Sequence, residues 1–315
     1  MPAAEDENGR QKMEKKIYRL TPALKDNLWG GERLKEYGKS AEGIIAESWE
    51  LSFTEGGEAT VDGVPMSRAF GRESWGTNCD KFPFFPTLTK LIDAREKLSV
   101  QVHPADDYAL KNEGMYGKTE MWYIVGAEEG AGIYMGLKEK TSPEVFAEAV
   151  ENGTVENLLA FHKVSPGQVY FIPAGTVHAI CDGVLIFEIQ QNSTLTYRLY
   201  DYMRRDKEGN LRPLHVEKAM GVSNLSPYGC DFSPKENGVI GECEYFRTEI
   251  MTLKGEQRNI TVTDESFLSL TVIEGTANIG GEVASRGDSF FCPAGAGEIT
   301  VFGNATVIAV SVPKS

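Results

Sequence analysis

Four histidines, at positions 103, 162, 178 and 215, are all that the 315 residues contain. Two of them sit where chemistry is possible. In Leu98-Ser99-Val100-Gln101-Val102-His103 the polar residues alternate with apolar ones. On a strand, Ser99, Gln101 and His103 point to one face, and Val100 and Val102 to the other. A Gln and a His facing together from an apolar strand need polar partners, and a metal ion is one. Lys118 and Glu120 repeat the i, i+2 spacing in Lys118-Thr119-Glu120-Met121-Trp122-Tyr123-Ile124. His178 emerges from a glycine–proline turn, in Gly167-x5-Pro173-x-Gly175-x2-His178. Gln101, His103, Glu120 and His178 together offer two nitrogens and two oxygens, a reasonable coordination set for a divalent cation such as zinc. Manganese, iron, cobalt and nickel accept the same donors. Each residue alone is ordinary, and only the joint spacing argues for a centre. Cys181, three residues after His178, falls on the opposite strand face. His162 and His215 have no such context and read as structural or surface residues.

Two further residues have open readings. Glu188 shares a face with Val184, Ile186 and Gln190. An acid on a partly apolar face has either a raised pKa or a structural partner. Arg198 shares a face with Thr194, Thr196 and Tyr200. In an ordinary sandwich that face is solvent, and in a cup-shaped barrel it lines the cavity. Alternation does not choose between them.

The elements that must position these residues are mostly strands. Period-two or apolar runs predict strands at 48–53, 90–94, 98–103, 169–172, 184–190 and 195–200, with turns at Pro166-Gly167 and Asp182-Gly183. One helix is clear. Ser142 is a good N-cap, Pro143 fits the first helical position, and Phe146, Ala149 and Val150 follow at helical spacing until Asn152-Gly153 stops it. A second short helix is expected over 154–161. Residues 206–240 are rich in Pro, Gly and Asn and read as a connector. Strands punctuated by glycine then run from Glu242 to the end. Ser165–Gly175 and Ser285–Gly295 share the frame S-x-G-x-x-x-F-x-P-A-G at an offset of 120 residues, which implies two copies of one β module. The expected division is a flexible tail over 1–16, a metal-binding catalytic domain with a helical insertion over 17–240, and a C-terminal β domain over 241–315.

Composition bounds the rest. The chain is 41% apolar and 25% charged, with a net charge of −14. That is globular composition, and the acidity argues against a nucleic-acid or anionic-membrane partner. No apolar run is long enough to span a bilayer, and the N-terminus lacks the apolar stretch of a signal peptide. Five cysteines without a CxxC pair read as free thiols, and the expected location is the cytoplasm.

The G-x5-P-x-G-x2-H segment resembles the second cupin motif, and Gln101-Val102-His103 with Glu120 resembles a variant of the first. More narrowly, the chain resembles the short bacterial form of the type I mannose-6-phosphate isomerase family. Trp29-Gly30-Gly31, Glu47-Ser48-Trp49-Glu50, 98–104, 117–123, 173–179 and 188–198 carry the likeness. The resemblance implies a mainly β fold of two cupin-like jelly-roll modules, with a small helical segment in the first. It implies a zinc-dependent interconversion of mannose 6-phosphate and fructose 6-phosphate through a cis-enediol. Gln101, His103, Glu120 and His178 would bind the metal. Ser99 and Lys118 would lie beside the phosphosugar, Arg198 would be the active-site arginine, and Glu188 a proton-transfer group. Lys118, Glu188 and a metal-held hydroxide stay open as the base. Arg198 would stabilise the developing oxyanion or hold the phosphate. Two rival readings are a sugar-phosphate sensor without turnover and a cupin dioxygenase. Glu298 stands where the second module would carry its histidine, so that copy is expected to have lost metal binding. Nothing in the sequence sets the oligomeric state.

Overall fold

The computed structural model describes residues 16–206, 208–229 and 232–314. The tail expected over 1–16 lies outside them except for Lys16. The chain is mainly β, with three stacked antiparallel sheets and a small two-stranded one, Thr60–Val61 with Val64–Pro65. A five-stranded sheet has the order Leu159–Lys163, Gly132–Leu137, His178–Ile180, Val100–Val102, Tyr197–Tyr200. A six-stranded sheet has the order Val169–Ile172, Glu120–Ala127, Val184–Gln191, Thr87–Ala94, Glu47–Leu51, Ala23–Lys25. A seven-stranded sheet holds all the strands from Asn237 onward and, at one edge, Tyr18–Leu20.

Period two explains the stacking. Along Glu120–Ala127 and Val184–Gln191, one set of side chains (Trp122, Ile124, Val184, Ile186) packs with Ile133, Met135 and Ile180 of the five-stranded sheet. The alternate set (Met121, Tyr123, Leu185, Phe187, Ile189) packs with Phe246, Phe291, Ile308 and Val310 of the seven-stranded sheet. Both faces of the middle sheet are therefore covered, which is why Thr87–Ala94 and Val184–Gln191 are buried at every residue. The outer face of the five-stranded sheet (Val100, Val102, Tyr197, Leu199) is closed by helical residues Phe146, Val150 and Ala219. Tyr18–Leu20 pairs with Ser289–Cys292, while Ala23–Lys25, only a few residues on, pairs with Glu47–Leu51 of the middle sheet.

The helix at Pro143–Glu151 forms as its sequence requires. The Ser142 side chain accepts from the Val145 N–H, and Phe146, Ala149 and Val150 are buried. The expected second helix is a single 3-10 turn, Val155–Leu158, followed by the strand Leu159–Lys163. Pairing with Gly132–Leu137 outcompetes helix propensity there. The expected connector contains a helix, Val216–Val222, and the C-terminal strands begin at Asn237, before Glu242.

The repeat is structural as well as sequential. Val169–Ile172 and Ser289–Cys292 are strands at the same offset of 120. The glycines that open each copy, Gly167 and Gly287, have φ of 87° and 88°, and those that close it, Gly175 and Gly295, have 86° and 77°. These left-handed values need glycine.

Cys79, Cys181, Cys243 and Cys292 are free thiols; Cys230 lies outside the described residues. Burial pushes Cys79, Cys181 and Cys292 up to about 12. At pH 8 roughly one in ten thousand of each is thiolate, the reactive form. A thiol-reactive dye added to the folded protein is expected to leave these three unlabelled, with labelling complete in denaturant. Mass spectrometry showing modification of any of the three in the native state would contradict this burial.

Candidate active site

The site lies between the five- and six-stranded sheets. Strand register builds it as two rows of side chains that face each other. In the five-stranded sheet, His178 is opposite Gln101, and Gln101 is opposite Arg198. Residues directly across an antiparallel pair share a face, so Arg198 is on the cavity side with the two candidate ligands. This decides what alternation along one strand left open. In the six-stranded sheet the row runs Trp122, Glu188, Lys90, Trp49. Glu120 sits one pleat away on the same face, opposite Gln190.

His103, Glu120 and His178 converge, with one ligand atom from each within 4.8 Å of the others. His178 Nε2 lies 3.3 Å from Glu120 Oε1, and His103 Nε2 lies 3.7 Å from Glu120 Oε2. Each imidazole is fixed from behind. His103 Nδ1–H donates to the Leu195 carbonyl at 2.8 Å, and His178 Nδ1–H to the Thr176 carbonyl at 2.8 Å. Those bonds put the proton on Nδ1 and leave the Nε2 lone pairs aimed at Glu120, the tautomer a metal ligand needs. Burial lowers both histidines, His178 to about 4 and His103 well below its usual value. Both are therefore neutral. Glu120 Oε1 is buried and accepts no hydrogen bond, an uncompensated acceptor that costs about 1–3 kcal/mol. The Gln101 amide closes the ring of groups, its Nε2 donating to His178 Nε2 at 3.3 Å. A half-turn of the amide would present Oε1 instead. Two neutral imidazoles, a carboxylate with an idle lone pair and an amide oxygen form a donor set that can hold a divalent cation.

Lys118 connects this cluster to the opposing row. Its ammonium donates to Glu120 Oε2, lies 3.4 Å from His103 Nε2 and is 3.6 Å from Glu188 Oε1. Glu188 accepts from the Trp122 indole N–H at 2.8 Å and pairs with Lys90 at 3.2 Å. Burial alone would push Glu188 up, but Lys118 and Lys90 outweigh it and hold the carboxyl low. Of the two readings left open by the sequence, the paired one is correct. Glu120 moves the other way: burial and then the Glu188 charge push it up, against Lys118. Lys90 is itself held by Glu47 at 3.5 Å and packs over the Trp49 ring.

Beside the cluster lies a cavity of ≈ 160 Å³, whose lining includes Gln101 and Lys118 but not His103, Glu120 or His178. Ser99, Gln101, Lys118, Glu188 and Arg198 all line it, so the structure brings together the expected residues on both rows. Lys90 and Arg212 also line it and were not expected. The signal for Lys90 was a lysine set directly before the apolar pair Leu91-Ile92 within a strand sequence. Arg212 lies in the former connector, where no periodicity marks it. His215 is also closer to the site than its sequence context implied, since its Nδ1 accepts from the Arg198 N–H at 3.2 Å. His162 stays outside, packed at 5.0 Å against Phe232. In the second module, Glu298 lies on Gly297–Ser311 opposite Thr261, away from the histidine cluster.

No helix among the described residues is long and apolar enough to cross a membrane. Residues 237–312 match the family described as mannose-6-phosphate isomerase, cupin domain. The chain is 35% identical over 305 residues to the Bacillus subtilis mannose-6-phosphate isomerase ManA, covering 91% of this chain and 96% of that protein. It is 36% identical over 308 residues to the putative mannose-6-phosphate isomerase YvyI of the same organism, covering 92% and 96%. A crystal structure of a Bacillus subtilis mannose 6-phosphate isomerase superposes with a TM-score of 0.83 at 34% identity, covering 94% of this chain and 99% of that one. Near-full-length identity of this order, on the same fold and around a buried His–Glu–His cluster, makes the chain a member of the mannose-6-phosphate isomerase family.

Proposed function

We propose that the protein interconverts mannose 6-phosphate and fructose 6-phosphate, and that Gln101, His103, Glu120 and His178 hold one zinc ion. The observation that carries this reading is the buried His103–Glu120–His178 cluster, placed beside Lys118 and Glu188 in a member of this family. Two imidazoles, a carboxylate and an amide oxygen suit zinc. A bound cation would supply electrophilic polarisation of the sugar oxygens at C1 and C2.

The chain's own residues do the remaining work. Ser99 and Gln101 form the floor that orients the open-chain sugar. Glu188 is ionised and so accepts the carbon-bound proton from C2 and returns it at C1. Its low basicity comes from two ammonium groups. When Lys118 turns from Glu188 to the substrate oxygens, one of the two is withdrawn and the carboxylate becomes a stronger base. Lys118 then carries the proton between the C1 and C2 oxygens. Arg198 offers its guanidinium to the bound anion. We assign the catalytic unit to residues 17–240 and a metal-free packing role to 241–315. Glu298 in place of a histidine supports that division.

Glu188→Gln keeps the shape of the row but removes the base. It is expected to lower kcat by about 10²–10⁴ while zinc content stays at one per chain. Loss of metal together with activity would assign Glu188 to the centre's architecture instead. The reading as a whole is tested by a coupled isomerase assay on metal-stripped protein with and without zinc. Turnover that returns with zinc supports it. Zinc uptake without turnover rejects the isomerase, and no uptake rejects the centre.

A further inference from the structure

The mouth of the cavity holds an excess of positive charge that the chemistry at C1 and C2 does not use. Arg198, Arg204 and Arg212 gather around the single carboxylate of Asp201, which is buried. Arg204 is consumed by the fold, donating from Nη2 to Asp201 and from Nη1 to the Lys97 carbonyl. Arg212 is held differently. Its Nε and Nη2 donate to Asp201 Oδ2 and Oδ1, both at 2.6 Å. That two-point grip fixes the plane of the guanidinium and leaves Nη1 without a partner among the described residues. Arg198 donates from Nη1 to the Pro213 carbonyl at 3.0 Å, while its Nε is buried with no acceptor. The segment carrying Arg212 is clipped to the strand carrying Arg198 by His215 N–H to the Arg198 carbonyl at 2.8 Å. Both arginines line the cavity. Three guanidiniums against one carboxylate leave two positive charges, matching in size the charge of a phosphate monoester dianion. The two acids that also line this cavity, Glu47 and Glu188, are already paired with Lys90.

We propose that Arg198 and Arg212 together clamp the substrate's phosphate, and that Arg212 sets the preference for phosphorylated over free sugar. The inference rests on the phosphosugar reading above for its substrate, though not for its anion chemistry. Guanidinium forks match phosphate oxygens in geometry as well as charge. Asp201 is a positioning residue: it aims Arg212 and absorbs Arg204, so that the free edge faces the cavity. Like-charge repulsion is already present, since burial and then Arg212 lower Arg198. A bound dianion relieves it.

The experiment is calorimetric binding of mannose 6-phosphate, inorganic phosphate and free mannose to zinc-loaded wild type, Arg212→Gln and Arg212→Lys. Turnover of mannose 6-phosphate and of mannose is measured alongside. Arg212→Gln is expected to weaken both phosphate-bearing probes by roughly 10–100-fold, a loss of about 1.4 kcal/mol for each factor of ten. Affinity for free mannose, which carries no phosphate, should fall by less than that for mannose 6-phosphate, and Arg212→Lys should recover part of the loss. For mannose 6-phosphate the loss should appear mainly as a raised KM. Equal affinity of Arg212→Gln and wild type for phosphate overturns the clamp, as does a wild type that binds neither phosphate-bearing probe. An equal loss on mannose and mannose 6-phosphate also overturns it, since that marks a structural role. Wild type that binds both phosphates through Arg212 but shows no turnover leaves the clamp standing and rejects the isomerase.

Discussion

His103→Ala should empty the metal centre and stop the reaction. Zinc content is expected to fall from about one per chain to below a tenth, and turnover by at least about 10³-fold, with the fold intact by circular dichroism. The reason lies in how the site is prepared. His103 and His178 are neutral, have their Nδ1 protons tied to backbone carbonyls, and present their lone pairs to a carboxylate with an unused acceptor atom. Removing one imidazole leaves a single nitrogen and two oxygens, a much weaker set for zinc. A second readout separates this from simple damage. Zinc at about a thousand times its dissociation constant should stabilise the wild type by about 4 kcal/mol, because only the folded state binds it. The variant should show no such gain in thermal denaturation. A variant that still gains stability from zinc, at one ion per chain, would show that the ion sits elsewhere.

The second large effect is expected between the middle and seven-stranded sheets, at Lys39. Its ammonium lies 2.8 Å from Glu50 Oε1 and donates to the Gly287 carbonyl at 2.6 Å. Glu50 is fully buried and also accepts from Ser48 Oγ at 2.7 Å and Ser289 Oγ at 2.8 Å. The group bridges the middle sheet to the seven-stranded sheet. Lys39→Met would leave the Glu50 charge buried with only hydroxyl partners. That is expected to cost about 3–5 kcal/mol of stability, read as a shift of the urea midpoint at unchanged slope. The pair Lys39→Met with Glu50→Gln should recover most of it, because the stranded charge is gone. A loss below about 1 kcal/mol for Lys39→Met alone would mean that water reaches Glu50. Zinc content should not change in either variant.

The site was legible where the chemistry is local in sequence. Gln101 and His103, or Lys118 and Glu120, declare their shared face by spacing alone. The helix at Pro143–Glu151 was legible because its cap and its first-turn proline are written in consecutive residues. What stayed hidden depends on pairing between distant strands. Nothing local says that Lys90 is opposite Glu188, or Arg198 opposite Gln101, and those registers build the cavity walls. The helix Val216–Val222 was hidden for another reason. It is short, His215 gives it no side-chain cap, and it stands because Ala219 packs against the five-stranded sheet.

The placement of Tyr18–Leu20 governs the order in which the molecule can assemble. Its partner Ser289–Cys292 lies roughly 270 residues further along. At about 5–20 residues per second, the ribosome needs on the order of 15–50 s to deliver it. The first of the described strands to be made is thus among the last to find its place. Its neighbour Ala23–Lys25 can already be docked on Glu47–Leu51, which keeps the waiting strand close to where it will pair and shortens the search. Closure of the molecule is therefore a late event, set by the arrival of the C-terminal sheet.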